Sequence, residues 1–316
     1  MINTSANFDG TVKEVRKRLD GLLVTAPCPV RAYTAHLTKG HGKFIRARAV
    51  LACAMDEEGN IPEDAITFAV AIEMLHLATL VHDDIMDEAN LRRGVETLQK
   101  KYGKRTAVIC GDYLLTVAIR ELSKAQEKDS YRRLDAFRYV GQICLGELRQ
   151  NQNRNNYDLN MFRYLSIING KTAALFEASY LAGALVREES EERLRLYRRL
   201  GRYTGVIFQL TDDCLDYELE ERIAGKNVQS DYAQGVITLP VIHTFEQQPE
   251  LKEKAREGWL FKNTLLTSVR RCEGVEFTHQ TAEKYYEKAM KSLQALELPG
   301  QQDDLLKRIL DKAYGV

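Results

Sequence analysis

Between Pro62 and Pro240 the chain carries no proline. Proline costs about 3 kcal/mol inside a helix, because its ring clashes with the preceding turn and it donates no backbone hydrogen bond. A proline-free run of this length therefore points to successive helices. Apolar residues inside it recur at helical spacing: Ile66, Val70, Ile72–Leu77 and Leu80 in one stretch, Leu165, Ile168, Ala173, Leu175, Phe176 and Leu181 in another. No stretch alternates apolar and polar residues around a hairpin turn, so sheet is not expected. Polar clusters at 56–62, 125–129, 150–156, 187–192 and 224–235 break the pattern into roughly ten to twelve helices. No shift in composition marks a boundary, so an all-α fold in a single domain over 1–316 is expected.

Charge and cysteine usage narrow the class. Lys plus Arg and Asp plus Glu each number 45, leaving a formal charge of zero. Nucleic acid and anionic membranes are held by a basic excess, so neither is an expected partner, and an anion site has to be built locally. The mixed signs of 187–202 fit a solvated helix better than a nucleic-acid face. Six cysteines stand singly, without a C-x-x-C pair or histidines at zinc spacing, which fits reduced thiols in the cytoplasm. Met1-Ile2-Asn3-Thr4 has neither a basic leader nor an apolar segment, so no signal peptide is expected. The apolar stretches 68–81, broken by Glu73 and His76, and 172–186, broken by Glu177, fall short of the roughly 20 residues of a membrane span.

The sharpest local feature is His82-Asp83-Asp84-Ile85-Met86-Asp87, at the end of an apolar segment. On a helix Asp83 and Asp87 sit about 40° apart and one turn from each other. Like charges at that spacing repel unless a cation neutralises them, and oxygen donors without Cys or His favour Mg²⁺, or Mn²⁺ in its place. One such cluster is equally well an acidic helix end at the surface. The spacing recurs 129 positions later, where Phe208-Gln209 leads into Asp212-Asp213-x-x-Asp216 after another apolar segment. Two copies predict two helices facing one cavity, their carboxylates holding Mg²⁺ against substrate phosphates. Basic residues lie nearby: Lys43 and Arg46 after Gly40 and Gly42, Arg92-Arg93-Gly94 just past the first cluster, Lys171-Thr172 within an apolar helix, and Lys226 after Gly225. Lysine supplies a point charge for phosphate and arginine a two-pronged fork. Lys171 is the least like an ordinary surface charge, because an unpaired ammonium in an apolar stretch is costly.

Taken in order, these motifs resemble the trans-prenyltransferases, the isoprenyl and polyprenyl diphosphate synthases. The likeness covers about 40–241 and rests on Gly42-Lys43-x-x-Arg46, the first D-D-x-x-D with Arg92-Arg93-Gly94, Gly111-Asp112-Tyr113-Leu114, Gly146-Glu147 with Gln150, Lys171-Thr172-Ala173, Phe208-Gln209 with the second D-D-x-x-D, Gly225-Lys226, and Asp231 followed by Thr238-Leu239-Pro240. Phe44, Ala47 and Val236 stand where that pattern commonly has a basic residue, a proline and a lysine. The resemblance implies a large helical bundle around a central cavity, usually a homodimer, that condenses isopentenyl diphosphate head-to-tail onto an allylic diphosphate. It implies Mg²⁺, three ions with diphosphate bound, on Asp83, Asp84, Asp87 and Asp212, with Asp213 and Asp216 beside them. Arg92, Lys171, Gln209 and Lys226 would meet the allylic diphosphate, and Lys43, Arg46, His76 and Arg93 the isopentenyl diphosphate. Thr172, with Lys171 and Gln209, would line the carbocation.

In the same family geometry the residues four and five before Asp83, Thr79 and Ala78, line the path of the growing chain. Both are small where short-chain enzymes carry aromatics, so a medium or long product is expected, with a deeper floor near Leu114, Val117, Ala118 and Leu122. Three alternatives stand beside it. A short-chain synthase differs only in that floor. A terpene cyclase needs neither Lys43 and Arg46 nor the second aspartate motif. A non-catalytic subunit would lose aspartates that this chain keeps, while an active subunit with a small partner is compatible with every residue named.

Overall fold

The computed structural model describes residues 4–40, 42–125, 129–218 and 230–315. Two compact units make up the chain. One comprises Met1–Ala136, Ala178–Arg198 and Leu298–Ile309, the other Phe137–Glu177, Arg199–Glu297 and Leu310–Val316, so neither is a continuous stretch. The all-helical expectation holds, with sixteen α-helical segments among the described residues. The roughly ten to twelve expected are exceeded because proline, glycine and polar turns cut the second half into short pieces.

In the first unit the chain runs through α1 (Thr4–Val24), α2 (Cys28–Leu37), α3 (Ile45–Ala54) and α4 (Glu63–Met86), then a two-stranded hairpin, β1 (Leu91–Arg92) and β2 (Val95–Glu96), then α5 (Leu98–Tyr102) and α6 (Lys104–Ala125). Helix α4 is its axis, with α1, α3 and α6 packed against it. Pro62 precedes it in an extended conformation, and Glu63 and Asp64 place negative charge at its positive end. Ala65, Phe68, Ala69, Ile72, Met74 and Leu75 form its buried side, and the alanines of α3 bring that helix close. At 24 residues α4 is longer than the apolar stretch at 68–81, and by length and composition alone it would cross a membrane. More than half of its apolar window is buried in the protein, and it carries Glu73, His76, Asp83 and Asp84, so it is a core helix.

The second unit holds α7 (Ala136–Gln152), α8 (Met161–Ile168), α9 (Ala174–Val186) and α10 (Glu191–Glu218), the last two contributing to both units. It continues with α11 (Ser230–Ala233), α12 (Leu239–Gln247), α13 (Pro249–Arg256), α14 (Lys262–Arg271), α15 (Gly274–Gln294) and the end of α16 (Gly300–Tyr314). Its core gathers Tyr164, Ile167 and Ile168 of α8, Val206, Leu210 and Tyr217 of α10, Val241 and Phe245 of α12, and Leu265 and Val269 of α14.

The hairpin was not expected, since its strands of two residues are too short to show alternation. Its signal lies in the turn. Arg93 and Gly94 have φ of 52° and 78°, the paired left-handed conformation of a tight hairpin turn, which glycine adopts without strain. Leu91 pairs with Glu96 and Arg92 with Val95.

Candidate active site

Helix α4 carries the first aspartate motif to its last turn, where Asp87 ends the helix and its amide bonds the Asp83 carbonyl. Asp83 and Asp87 are half-buried on one face, and Asp84, one residue round, is buried. The hairpin brings Arg92 back to it: Arg92 Nε donates to Asp84 Oδ1 at 2.7 Å. Burial pushes the Asp84 carboxyl above its ordinary range and the Arg92 charge opposes that. The next arginine reaches the other way, Arg93 Nη1 donating to the Gly40 carbonyl at 3.1 Å. Its guanidinium lies against Gly42, where a Cβ would fall 2.6 Å from a guanidinium nitrogen.

Deeper on the same unit, Arg46 Nη1 lies 3.1 Å from His76 Nε2. Burial pulls the Arg46 guanidinium down to about 10, helped by Arg93, and holds His76 well below its usual 6.5, helped by Arg46, Arg93 and Arg92. The imidazole is therefore neutral at pH 7, against Arg46 and within the field of Arg93 and Arg92, an arrangement that favours an arriving anion. Lys43 is exposed at the start of this segment. The first unit thus brings Arg46, His76, Arg92, Arg93 and the first aspartates into one neighbourhood. A pocket of about 50 Å³ lies beside the Arg92–Asp84 pair, with Leu77, Leu80 and Val81 of α4 on its wall. Ala78 is buried and Thr79 half-buried, and the Thr79 hydroxyl donates to its own helix at the His76 carbonyl, 2.8 Å away. Leu114, Val117, Ala118 and Leu122 are all buried on α6.

The second unit arranges the second motif in the same way. Asp212 is exposed and Asp216 half-buried, while Asp213 is only 3% exposed. Both oxygens of Asp213 are occupied: the Tyr164 hydroxyl donates to Oδ2, and Gln209 Nε2 donates to Oδ1 at 2.8 Å. The Gln209 carbonyl oxygen in turn accepts from the Thr172 hydroxyl at 2.7 Å. Burial, then the nearby Asp231, pushes the Asp213 carboxyl well up, against the two donors. Thr172 and Lys171 sit in a π-helical turn, Asn169–Ala173, inserted between α8 and α9. Such a bulge adds one residue to the turn and redirects its side chains. Lys171 Nζ lies 3.0 Å from Glu147 on α7. That closeness needs Gly146, since a Cβ there would stand 2.2 Å from the Lys171 backbone nitrogen.

Lys226 lies outside the described residues. Two residues that the sequence reading did not place complete the picture. Tyr164 holds Asp213, and its only sequence signal is seven residues of spacing before Lys171. Glu73 accepts the Ala47 N–H beside Arg46, and its signal is a carboxylate within an apolar helix.

Among the described residues no three Asp, Glu, His or Cys side chains close on one point. Mg²⁺ does not require that, because it keeps waters and takes substrate phosphate oxygens alongside one or two carboxylates. The Asp83/Asp87 and Asp212/Asp216 pairs, hard oxygen donors one helical turn apart, fit such an ion.

Comparison with known proteins follows the same line. The polyprenyl synthetase family model matches residues 29–266. The heptaprenyl diphosphate synthase component 2 of Bacillus subtilis is 32% identical over 268 residues, covering 83% of this chain and 75% of that protein. The geranylgeranyl diphosphate synthase of Sulfolobus acidocaldarius is 34% identical over 281 residues, covering 84% and 85%. The crystal structure of heptaprenyl diphosphate synthase from Staphylococcus aureus superposes with a TM-score of 0.88 at 29% identity, covering 98% of both chains. The chain belongs to the polyprenyl synthetase family, the prenyltransferases that make prenyl diphosphates, and has their helical fold.

Proposed function

We propose that this chain extends an allylic diphosphate, farnesyl or geranylgeranyl, by head-to-tail addition of isopentenyl diphosphate, giving a medium or long all-trans polyprenyl diphosphate. The observation that carries the reading is the shared form of the two aspartate motifs. In each, the first and fifth carboxylates lie on a more open helix face and the second is buried and bonded to a fixed donor, Arg92 or Tyr164. A buried, bonded second carboxylate shapes the site, and the outer pair on the more open face would hold a cation. Mg²⁺, held by Asp83 and Asp87 and by Asp212 and Asp216, would neutralise charge on the departing diphosphate.

This chain's own groups would do the rest. Arg92 and Lys171 offer positive charge to the allylic diphosphate as its C–O bond breaks. Thr172 and Gln209, fixed by Asp213, turn their oxygens toward the allylic cation. Lys43, Arg46, His76 and Arg93 hold isopentenyl diphosphate so that its double bond forms the new carbon–carbon bond. The proton then lost passes to the released diphosphate, so no protein base is needed.

The small side chains of Ala78 and Thr79, five and four residues before Asp83, support the longer product, because neither has the bulk of an aromatic. Exposed Val108 and Ile109 on α6, and exposed Phe137, Leu145 and Leu148 on α7, support a homodimer with these faces covered. A B. subtilis relative is a component 2, which favours a small partner as the second reading. Six free cysteines fit a reducing cytoplasm. Neither compact unit is continuous in sequence, which supports 1–316 working as one domain.

The test is incubation of the purified chain with isopentenyl diphosphate, farnesyl diphosphate and Mg²⁺, with products separated by length. Elongation beyond geranylgeranyl diphosphate, shortened in Thr79→Phe, is the expected result. Wild-type products ending at three or four isoprene units contradict the long-chain reading. Activity only on adding a small partner protein favours the second reading.

A further inference from the structure

Helix α3 lies almost entirely inside the first unit, with Ile45, Ala47, Ala49, Val50, Leu51, Ala52, Cys53 and Ala54 all buried. A buried helix must satisfy its end groups within the protein, since water cannot reach them. At the C-terminal end Gln302 does this, its Nε2 donating to the Ala52 carbonyl at 2.9 Å. The N-terminal end is unusual. The residue preceding the helix is Phe44, whose side chain has no acceptor and whose φ of 53° is left-handed. The acceptor comes instead from α4: Glu73 Oε1 takes the Ala47 N–H at 3.0 Å. Ala47 is the third residue of the helix, the position a side-chain cap ordinarily serves.

Glu73 is only 8% exposed, and a buried carboxylate needs compensating charge. Arg46 and Arg93 supply it, their positive charges opposing the effect of burial on the Glu73 carboxyl. One side chain therefore fixes the backbone that carries Arg46 and bears a negative charge that Arg46 and Arg93 help to stabilise. His76, one turn further along α4, touches Arg46 from the same helix.

We propose that Glu73 is the positioning residue of the isopentenyl diphosphate site, capping α3 from α4 and balancing Arg46 by its charge, so that Arg46 is held ready for the diphosphate. It touches no substrate and acts through Arg46. The inference rests on the assignment of Lys43, Arg46, His76 and Arg93 to that diphosphate.

Glu73→Gln keeps an acceptor for the Ala47 amide and removes the charge. Its expected effect is a rise of about tenfold in KM for isopentenyl diphosphate, with kcat and the allylic KM within about twofold of wild type. An unchanged isopentenyl KM overturns the proposal, as does an equal rise in both KM values with a fall in kcat, the signature of a general structural role. In an Arg46→Met background the same substitution must add nothing to the isopentenyl KM; a further tenfold rise overturns it. If Glu73→Gln does not fold, Arg46→Met/Glu73→Gln, which removes both charges, must recover the melting transition, and failure to do so counts against the pairing. Calorimetric titration of isopentenyl diphosphate separates the two levels. No binding to the wild type contradicts the site assignment, whereas equal binding to wild type and Glu73→Gln contradicts only the role of Glu73.

Discussion

The phenol of Tyr164 donates a hydrogen bond to the buried carboxylate of Asp213, 49 residues further along the chain. Through Asp213 it fixes Gln209, and through Gln209 the hydroxyl of Thr172. A single buried acceptor thus ties α8, α10 and the π turn into one network, in which each member has one place to go.

Tyr164→Phe keeps the ring in the core and removes the donor. Loss of one partner from a buried acceptor is expected to cost about 1–3 kcal/mol in urea unfolding. Elongation should slow by about tenfold as Gln209 and Thr172 lose their fixed positions. A variant with wild-type stability and rate would show that Asp213 needs only Gln209.

Gly146→Ala tests the approach of α7 to the π turn. Its Cβ would meet the Lys171 nitrogen at 2.2 Å and the Gly170 carbonyl carbon at 2.7 Å, both backbone atoms that cannot rotate away. Thermal melting should fall by several degrees, and Lys171 should leave Glu147 with a loss of elongation. Gly10→Ala on α1, where a Cβ meets nothing within 4 Å, should be neutral or stabilising by up to about 1 kcal/mol. Equal behaviour of the two variants would contradict the close approach.

The aspartate motifs were legible in the sequence because spacing on a helix fixes which carboxylates share a face. The roles of Asp84 and Asp213 were not, because burial depends on partners far along the chain: the hairpin for Arg92, α8 for Tyr164. Glu73 was visible as a break in an apolar run, yet its meaning needed the start of α3 beside it. Arg93-Gly94 carried the hairpin signal in two residues, too short for periodicity to register. The π turn at Lys171 has no sequence signal that distinguishes it from ordinary helix.

His76 makes a pH prediction with a definite sign. Its folded-state pKa is held below the ordinary 6.5 by burial and by Arg46, Arg93 and Arg92. Between that depressed value and 6.5 the unfolded chain binds more protons than the folded one, so stability falls as pH drops below about 6.5 and is flat above it. His76→Gln should flatten that part of the urea-stability profile. An unchanged slope from pH 6.5 to 5 would mean that His76 is charged in the fold.

The most direct test of the central claim is the rate of isopentenyl incorporation by wild type, Asp83→Ala and Asp212→Ala, each at saturating Mg²⁺ and after EDTA. The expected result is a wild-type rate abolished by EDTA and restored by Mg²⁺, with a loss of at least about a hundredfold in each variant, because each removes a carboxylate proposed to hold the metal. Wild-type turnover in EDTA, or full activity in either variant, would contradict it.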